Sequence, residues 1–437
     1  MKTSILSFIV VIAISTGVTV QTFAGGAPEE PEVAPRSFDI ISHEVHRRVA
    51  MGDTGGDIIT PWADEHARVT EVSWTTMGIG EIHDRLFREA AASRTEIDLA
   101  YVLNPFVTPR VAGMLEPLND MIEESPIAGF EDNFPAGMLD ALSFDGDLYA
   151  IPVRSATHAF GWNERIFEER GLSGPPTTPE EFEEYARELT FTRDDGTQVF
   201  GFVNHANYYY TGFNSTARMF GGGLITPDFE VIVDSEGTIK ALEMWRRFYE
   251  EGIMPPEVPT WAHAEKERAM VEGHAAMAFD VFARFHDLNE PDRGDWGYWR
   301  TAEYPVDPDA GIDVAAPNTE FWSLAIPRNA ADKEASWDFI RHLSSHDSAV
   351  AMALNGNGPA RLSVFTESTF QEQVENWQLL ESLEADAQPP LPGFEEASEA
   401  TELIDEYIER GMLGDMDPGD AMRELADELR ALSDVLW

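Results

Sequence analysis

The chain has 437 residues and carries 79 acidic against 30 basic side chains, a formal net charge of −49 at pH 7. This length exceeds one ordinary hydrophobic core and predicts two domains or lobes. So negative a chain repels nucleic acid and anionic lipid, which excludes both as partners. The acids are spread along the whole sequence, which is typical of a surface adapted to high salt. The absence of cysteine excludes disulfides, thiol chemistry and cysteine-ligated metals.

The N-terminus carries the pattern of an export signal. Lys2 supplies a positive start, residues 5–14 are almost wholly apolar, and residues 22–24 form a small-x-small cleavage site. The pattern predicts a cleavable signal peptide over residues 1–24, with an uncleaved membrane anchor as the alternative. Residues 25–35 are rich in Pro and Glu and are expected to form a linker. No later segment is long and apolar enough to span a bilayer, so no stable membrane insertion is expected.

The chain after the linker alternates predicted strands and helices. Short apolar runs predict strands at residues 38–41, 69–74 and 98–103. Residues 57–66 and 111–118 are expected to be helical. Strand-helix-strand order at this spacing predicts a lobe built on a parallel α/β sheet.

Later segments carry further helix and strand signals. Residues 178–181, Thr-Pro-Glu-Glu, combine an N-cap, a proline at the first helical position and a capping-box acid. Trp245 lies on the apolar stripe of another predicted helix. Residues 321–327, FWSLAIP, read as a strand that returns toward the first lobe, and residues 417–418, Asp-Pro, open the last predicted helix.

The segment at residues 145–189 resembles the crossover segment of bacterial extracellular solute-binding proteins, the maltose-binding-protein-like receptors of ABC importers. The matching pieces are a Tyr-x-x-Pro motif at 149–152, an aromatic-Asn pair at 162–163, a Pro-rich turn and an acidic amphipathic helix. Residues 269–279, AMVEGHAAMAF, and 355–361, NGNGPAR, resemble later motifs of the same family. Each motif alone is weakly specific, but their order and spacing together indicate the family.

This resemblance implies an α/β protein with the two-lobe periplasmic-binding-protein-like fold of type II, a hinge of at least two crossover strands and a ligand cleft between the lobes. It assigns residues 36–153 plus about 318–365 to the first lobe. Residues 154–317 plus about 366–437 fall to the second lobe, with the tail in reach of both. It also implies a monomeric periplasmic receptor that carries out no chemistry and delivers its ligand to ABC transporter permease subunits. Without cysteine, the chain lacks the lipid-attachment site that many of these receptors use.

The resemblance also implies which residues face the ligand. The loop after the first strand contributes polar side chains, and ligands bind open α/β sheets at the ends of the strands. Sugars have apolar C–H faces ringed by hydroxyls, which suits aromatic rings flanked by hydrogen-bonding groups. Tyr209 and Tyr210 are the favoured stacking residues. The predicted ligand-binding residues are His43, Glu44, Asn104, Tyr208, Tyr209, Tyr210, Asp280, Phe282, Glu320, Trp322, Arg361 and Phe394.

Structural roles are the alternative for most of these residues. His43 and Glu44 also fit a solvated loop, and Trp322 also fits a core position. Residues 280–282, Asp-Val-Phe, replace the Gly-x-Trp of many relatives, and residues 318–322, NTEFW, stand where many relatives have Gly-Gly. These departures leave the particular sugar open.

Two local clusters invite other interpretations. His43 and His46 flank an acid, but they are three residues apart instead of the four of a helical HExxH site, so no metal or cofactor is expected. Arg47 and Arg48 are adjacent cations in a chain that has few. They would suit a ligand carboxylate such as a uronate, held by a bidentate contact. Charge balance against the surrounding acids is the simpler interpretation.

Three functional classes follow. A carbohydrate-binding transport receptor is the first hypothesis, with a neutral oligosaccharide ahead of an acidic sugar as the ligand. A receptor for a polyamine, an amino-acid-derived solute or a phosphorylated polyol is the second, and a secreted glycoside-active enzyme is the third. The sequence contains no Gly-x-Ser-x-Gly elbow, P-loop or dinucleotide fingerprint. The prediction is therefore a binding protein and not an enzyme.

Overall fold

The computed structural model describes residues 35–90, 92–206, 209–289, 294–394 and 396–433. The predicted signal peptide and all but the last residue of the predicted linker lie outside these residues. Within the described ranges, no helix combines the length and the apolar composition needed to cross a bilayer.

A mixed sheet organises this part of the chain. The strands are β1 (Arg36–Ser42), β2 (Val69–Thr76), β3 (Leu99–Leu103), β4 (Ser143–Phe144), β5 (Asp147–Leu148), β6 (Ile151–Asn163), β7 (Phe191–Thr192), β8 (Gln198–Val199), β9 (Met277–Val281), β10 (Trp299–Ala302) and β11 (Thr319–Ala325). The large sheet has the order β10-β6-β11-β3-β1-β2, and β9 also pairs with β6. β1 is parallel to β2 and β3, as predicted for the first lobe, whereas β11 is antiparallel to β3 and β6.

Helices follow most of these strands. The α-helices are α1 (Glu44–Ala50), α2 (Ile59–Glu65), α3 (Ile79–Ala90), α4 (Pro109–Ala112), α5 (Asn119–Glu124), α6 (Phe130–Asn133), α7 (Ala136–Asp140), α8 (Glu164–Glu169), α9 (Pro179–Glu188), α10 (Tyr209–Met219), α11 (Glu236–Glu250), α12 (His263–Val271), α13 (Phe282–Asp287), α14 (Lys333–Leu343), α15 (His346–Leu354), α16 (Ser368–Gln373), α17 (Trp377–Asp386), α18 (Ala397–Leu413) and α19 (Pro418–Ser433). Short 3-10 helices occur at Asn104–Phe106, Val258–Thr260 and Leu362–Thr366.

Local chemistry sets several helix starts. The Thr178 hydroxyl accepts a hydrogen bond from the Glu181 N–H at the start of α9, and the Glu181 carboxylate accepts one from the Thr177 N–H. Both contacts satisfy N–H groups that have no partner inside the helix. The start of α9 predicted from the sequence is confirmed.

The helix predicted over residues 111–118 is wrong in its extent. α4 ends at Ala112, and the chain then runs beside residues 326–328. The Glu116 N–H donates to the Ile326 carbonyl, which removes that N–H from a helical hydrogen bond. Pairing with a distant segment therefore replaces the last turn of the predicted helix.

Two large hydrophobic cores lie on the sheet. The first contains Ile40 from β1 and Phe339 from α14, so it joins residues about 300 positions apart in the sequence. The second contains Phe160 from β6, Trp245 from α11 and Leu425 from α19. Each core therefore needs chain segments that the sequence separates widely.

A third, smaller cluster lies against the other side of β6 and β9. It joins Phe285 of α13 to Phe365, Phe370 and Leu380. Gly161 of β6 allows this packing, because a Cβ at that position would lie 2.0 Å from the Phe285 ring. The segment that holds α16 and α17 is thereby packed beside the middle of the sheet.

Candidate functional site

The long strand β6 changes its partner in mid-course. It pairs with β11 as far as Thr157, which lies opposite Thr319, and with β9 from His158, which lies opposite Val281. β6 also contributes side chains to both large cores. We call the Thr157–His158 step the junction, because it is where one strand passes from the first core to the second.

Polar side chains gather near the junction. Glu320 lies opposite Ala156 on β11, and Asp280 lies opposite Ala159 on β9. Both carboxyl groups therefore come from positions within two residues of the junction. His43 and Asn104 follow β1 and β3, whose carboxyl ends meet at one edge of the sheet, the usual location of ligands in open α/β sheets.

Asp280 has a buried counter-ion. Its Oδ2 lies 3.0 Å from the Nζ of Lys266 and 3.8 Å from the Nε2 of His263, and Lys266 is 3% exposed. Lys266 also donates to the Phe279 carbonyl at 2.6 Å. Burial opposes ionisation of Asp280, but Lys266, His263 and His158 outweigh it and hold the pKa of the carboxyl far below its usual range. Asp280 is therefore a carboxylate deep in the fold.

Two further titratable groups lie at the junction, His158 on β6 and Glu320 on β11. The Nδ1 of His158 is buried and has no partner among the described residues. Burial is the main cause that lowers the pKa of His158 to about 4, so the ring is neutral at pH 7. Burial also raises the pKa of Glu320, which forms no ion pair with any described residue. A hydroxyl group placed here would find both donors and acceptors.

The start of β11 is tied to the second core by Asn318. Its Nδ2 donates to the Thr211 carbonyl at 2.6 Å and to the Ser215 hydroxyl at 2.9 Å. Its Oδ1 accepts from Asn214 and from Arg218, each at 3.0 Å. These four residues belong to α10. β11 is thus held by one helix, α10, at the point where it enters the sheet.

Of the three predicted tyrosines, Tyr209 is the one whose side chain the structure describes. Tyr209 begins α10, is 1% exposed and packs edge-on against Trp245 in the second core. In this structure the Tyr209 ring lies in the second core, and its sugar-stacking role stays a prediction. Tyr208 and the side chain of Tyr210 lie outside the described part of the chain.

The other predicted aromatics are also core residues. Trp322, Phe282 and Phe394 are 8%, 5% and 5% exposed and belong to three different hydrophobic clusters. Trp322 packs edge-on against the ring of His46, with ring centroids 4.6 Å apart. In this structure the three rings pack in the cores, and their ligand contacts stay predictions.

Asn104 and Arg361 hold chain segments together. The Asn104 Oδ1 accepts from the Phe321 N–H at 2.8 Å, which links the end of β3 to β11. The Arg361 guanidinium donates to the Ser344 carbonyl at 2.8 Å and to the Ser363 hydroxyl at 2.9 Å. Both side chains are almost fully buried. Both residues therefore have structural contacts, and their ligand-binding roles stay predictions.

The segment at residues 43–47 begins a helix and shows no metal site. The His43 Nδ1 accepts from the Val45 N–H and caps α1, and Glu44 is exposed 3.8 Å from Arg47. The rings of His43 and His46 are 6.3 Å apart. Within the described residues, no three His, Asp or Glu side chains form a group that could hold a metal ion. His43 and Glu44 remain candidates for hydroxyl contacts at this edge.

Sequence reasoning missed several residues of the site. Lys266 is one of four lysines in the chain, and an isolated lysine next to the Ala-Ala-Met strand is a signal that points to it. Arg218 and Asn214 are spaced one helical turn apart in a segment not predicted to be helical. His158 lies on the long strand β6, and nothing in the neighbouring sequence indicates that its Nδ1 is buried.

Comparison with known proteins identifies the family. The sequence pattern of one family, described as bacterial extracellular solute-binding protein, matches residues 58–378. A maltotriose-binding protein of Pyrococcus abyssi is 22% identical over 256 residues, which are 55% of this chain and 48% of that protein. An erythritol/L-threitol-binding protein of Mycolicibacterium smegmatis is 24% identical over 59% of this chain and 57% of its own length. The match thus spans about half the length of these curated relatives.

The fold also has close counterparts among solved structures. The sugar-binding protein MalE from Xanthomonas citri superposes with a TM-score of 0.76 and 20% identity, covering 92% of this chain and 98% of that one. The expected family and the expected two-lobe architecture are both confirmed. The chain belongs to the bacterial extracellular solute-binding proteins and has their two-lobe α/β fold.

Proposed function

We propose that this protein is the periplasmic substrate-binding protein of an ABC importer and captures a carbohydrate, an oligosaccharide or a sugar derivative, by hinge closure. The observation that carries the proposal is the junction in β6. Glu320 lies there together with His158, whose Nδ1 has no partner among the described residues, where one strand joins the two cores. The curated relatives, named for binding maltotriose and erythritol or L-threitol, support a polyhydroxylated ligand.

In this proposal the hinge separates a first lobe, residues 36–153 plus about 318–365, from a second lobe made of residues 154–317 plus about 366–437. A ligand that touches both lobes stabilises the closed form by its differential affinity for that form. Ligand hydroxyls donate to the Glu320 and Asp280 carboxyl groups. The protein releases the ligand unchanged, as a binding protein does.

The closed form would dock on membrane permease subunits as a monomer. A micromolar ligand supplies about 8 kcal/mol to be divided between closure and net binding. The strongly acidic surface suits high salt, where the repulsion among its charges is screened.

A thermal-shift screen in high salt tests this function. The panel holds maltose, maltotriose, erythritol, ribitol, galacturonate, spermidine and amino acids. A sugar or polyol at a hundredfold excess over its Kd is expected to stabilise the fold by about 2.7 kcal/mol. Chromatography of the recovered sugar should show no product. A shift only with amines or amino acids would move the protein to the second solute class, and no shift at all would contradict the carbohydrate proposal.

Glu320→Gln and His158→Ala should each lower the affinity for the sugar that gives the thermal shift, because each removes a hydrogen-bond acceptor at the junction. Glu243→Gln, at an exposed position of α11, is the control and should bind like the unaltered protein. Unchanged affinity in both junction variants would contradict the assignment of the site.

One observation favours an acidic sugar as the second candidate. Arg154 lies on β6 opposite Trp322, donates to the Asn357 Oδ1 at 3.1 Å and forms no ion pair with a described residue. Burial, and then the nearby cation of Arg48, lowers its pKa. A half-buried guanidinium next to another cation, in a chain with 79 acids, attracts an anionic group.

Comparing galacturonate with galactose tests this candidate. Arg154→Gln should remove a preference for galacturonate of about tenfold or more, since it deletes a charge-assisted contact. Arg423→Gln is the matched control, because Arg423 is exposed on α19 and lies beside Asp420. Equal affinity for the two sugars in the unaltered protein would reject the acidic ligand and leave the carbohydrate receptor in place.

A further inference from the structure

A buried carboxyl group lies against the junction from a third element. Glu384, near the end of α17, is fully buried, and its Oε2 lies 2.6 Å from the Thr157 hydroxyl. The Thr157 hydroxyl lies 2.9 Å from that of Thr319. Thr157 and Thr319 are the last pair of β6 and β11 before β6 changes its partner. One carboxyl group is therefore connected to both crossover strands at the point where they separate.

The direction of this hydrogen-bond chain depends on one proton. A hydroxyl donates a single hydrogen bond, so Thr157 cannot donate to Glu384 and to Thr319 at once. With a neutral Glu384, the carboxyl donates to Thr157 and Thr157 donates to Thr319. With an ionised Glu384, both hydrogen bonds reverse their direction: Thr157 donates to Glu384, and Thr319 donates to Thr157. The Oε1 of Glu384 has no partner among the described residues, which penalises the charged form most.

Among the described residues, Glu384 forms no ion pair, and no neighbouring charge shifts its pKa. β6 presents Ser155 and Thr157 toward it, and β11 presents Thr319. Arg154, His158 and Glu320 occupy the alternate positions of these strands, which project from the opposite face. Burial raises the pKa of Glu384 to about 7, against smaller opposing contributions from the Thr157 and Ser155 hydroxyls. The other acidic residues on α17 are Glu381 and Asp386.

We propose that Glu384 is a proton-sensitive lock on the hinge: when neutral it holds Thr157 and Thr319 in the arrangement described above, and its ionisation releases them. The inference rests on the hinge motion of the proposed function. Rotation at the junction separates the Thr157–Thr319 pair and lets water reach Glu384. A hydrated carboxylate is more stable than a buried one. Acidic solution therefore favours the arrangement described, and alkaline solution favours the alternative.

Distances between two spin labels test the lock without any ligand. The sequence has no cysteine, so a Glu124→Cys, Glu243→Cys double variant is labelled only at two exposed sites, on α5 beside the first core and on α11 beside the second. The label-to-label distance distribution should change between pH 5.5 and pH 8.5 with a midpoint near 7. A one-unit difference in the pKa of Glu384 between the two arrangements changes their ratio about tenfold.

Two further variants identify the group. Glu384→Gln, a neutral isostere, should keep the acidic distribution at every pH. Asp386→Asn, at an exposed position two residues on, should follow the unaltered protein. Distances that ignore pH in the unaltered protein, or a pH-dependent shift that survives in Glu384→Gln, would overturn the proposal. So would a carboxyl carbon NMR titration that places the Glu384 midpoint below about 5, near its unperturbed value.

The outcomes separate this inference from the proposed function. A silent sugar screen with pH-dependent distances would reject the carbohydrate and keep the lock. Sugar binding with pH-independent distances would reject the lock and keep the receptor.

Discussion

Two buried carboxyl groups flank the junction, and their pKa values are shifted in opposite directions. Asp280, at the end of β9, lies 3.0 Å from the Nζ of a buried lysine and has a depressed pKa. Among the described residues, the polar partners of Glu384 are hydroxyl groups, and burial raises its pKa to about 7. Burial is shared, so the presence of Lys266 makes the difference. Depth in the fold does not by itself determine the charge of an acid.

The contributions of the two groups to stability depend on pH in opposite ways. Asp280 stabilises the fold above its unfolded pKa, and that contribution is lost as the pH falls through its depressed folded pKa. Glu384 favours the fold while it is protonated. Its contribution is fully present below its unfolded pKa of about 4.5 and is lost as the pH rises through about 7.

The largest effect is expected from removing the counter-ion. Lys266→Met leaves Asp280 buried without its partner and should lower the free energy of unfolding by about 3–5 kcal/mol. Chemical denaturation at pH 7 measures the change. Lys240→Met is the control, because Lys240 is half-exposed, its pair with Glu236 lies at the surface and its contact with buried Asp307 is long at 3.7 Å, so its loss should cost about 1 kcal/mol.

Adding Asp280→Asn to Lys266→Met should restore part of that loss, since it removes the unpaired charge. If the double variant were no more stable than Lys266→Met alone, the cost would come from lost packing of the lysine side chain and not from an uncompensated carboxylate.

A smaller effect is expected from neutralising the other acid. Between pH 4.5 and 7.5 the unaltered protein should lose about 3 kcal/mol of stability relative to Glu384→Gln, since the pKa rises from 4.5 to about 7 on folding. The difference between the two unfolding curves across this pH range isolates the contribution of one group. Parallel curves would mean that Glu384 ionises normally in the fold.

The smallest effect concerns a buried polar group that carries no charge. The Tyr209 hydroxyl is buried without a partner among the described residues, and burial is the main cause that raises its pKa. Tyr209→Phe removes that hydroxyl and keeps the ring, so stability should stay the same or rise by up to about 1 kcal/mol. Thermal unfolding measures it. A loss above 1 kcal/mol would show that the hydroxyl has a partner, such as a buried water molecule.

Local patterns predicted the frame of the fold well. The strands at 36–42 and 69–76 and the start of α9 follow from apolar runs and capping residues. The sequence analysis did not predict helix α10, although Tyr209, Phe213 and Ala217 recur every four residues, the spacing of a helix. The three adjacent tyrosines at residues 208–210 obscure that helical period.

The site was less accessible to such reasoning, because its decisive contacts join distant positions. Asp280 was singled out as a hydroxyl acceptor, but its charge state depends on Lys266 on the preceding helix. Thr157 and Glu384 are 227 residues apart in the sequence. Among 79 acids, no local feature distinguishes Glu384 from its exposed neighbours, so only the packing of α17 against β6 reveals it.

The discontinuous first core has a consequence for the order of folding. β3 lies between β1 and β11, and Phe339 of α14 packs against Phe38 of β1. A chain that has emerged only as far as residue 300 lacks both the strand and the helix that close this core. Contacts of such sequence separation slow folding, because the entropy of closing a long loop is lost before the contacts form. The nascent chain is therefore expected to remain incompletely folded until nearly four-fifths of it is available.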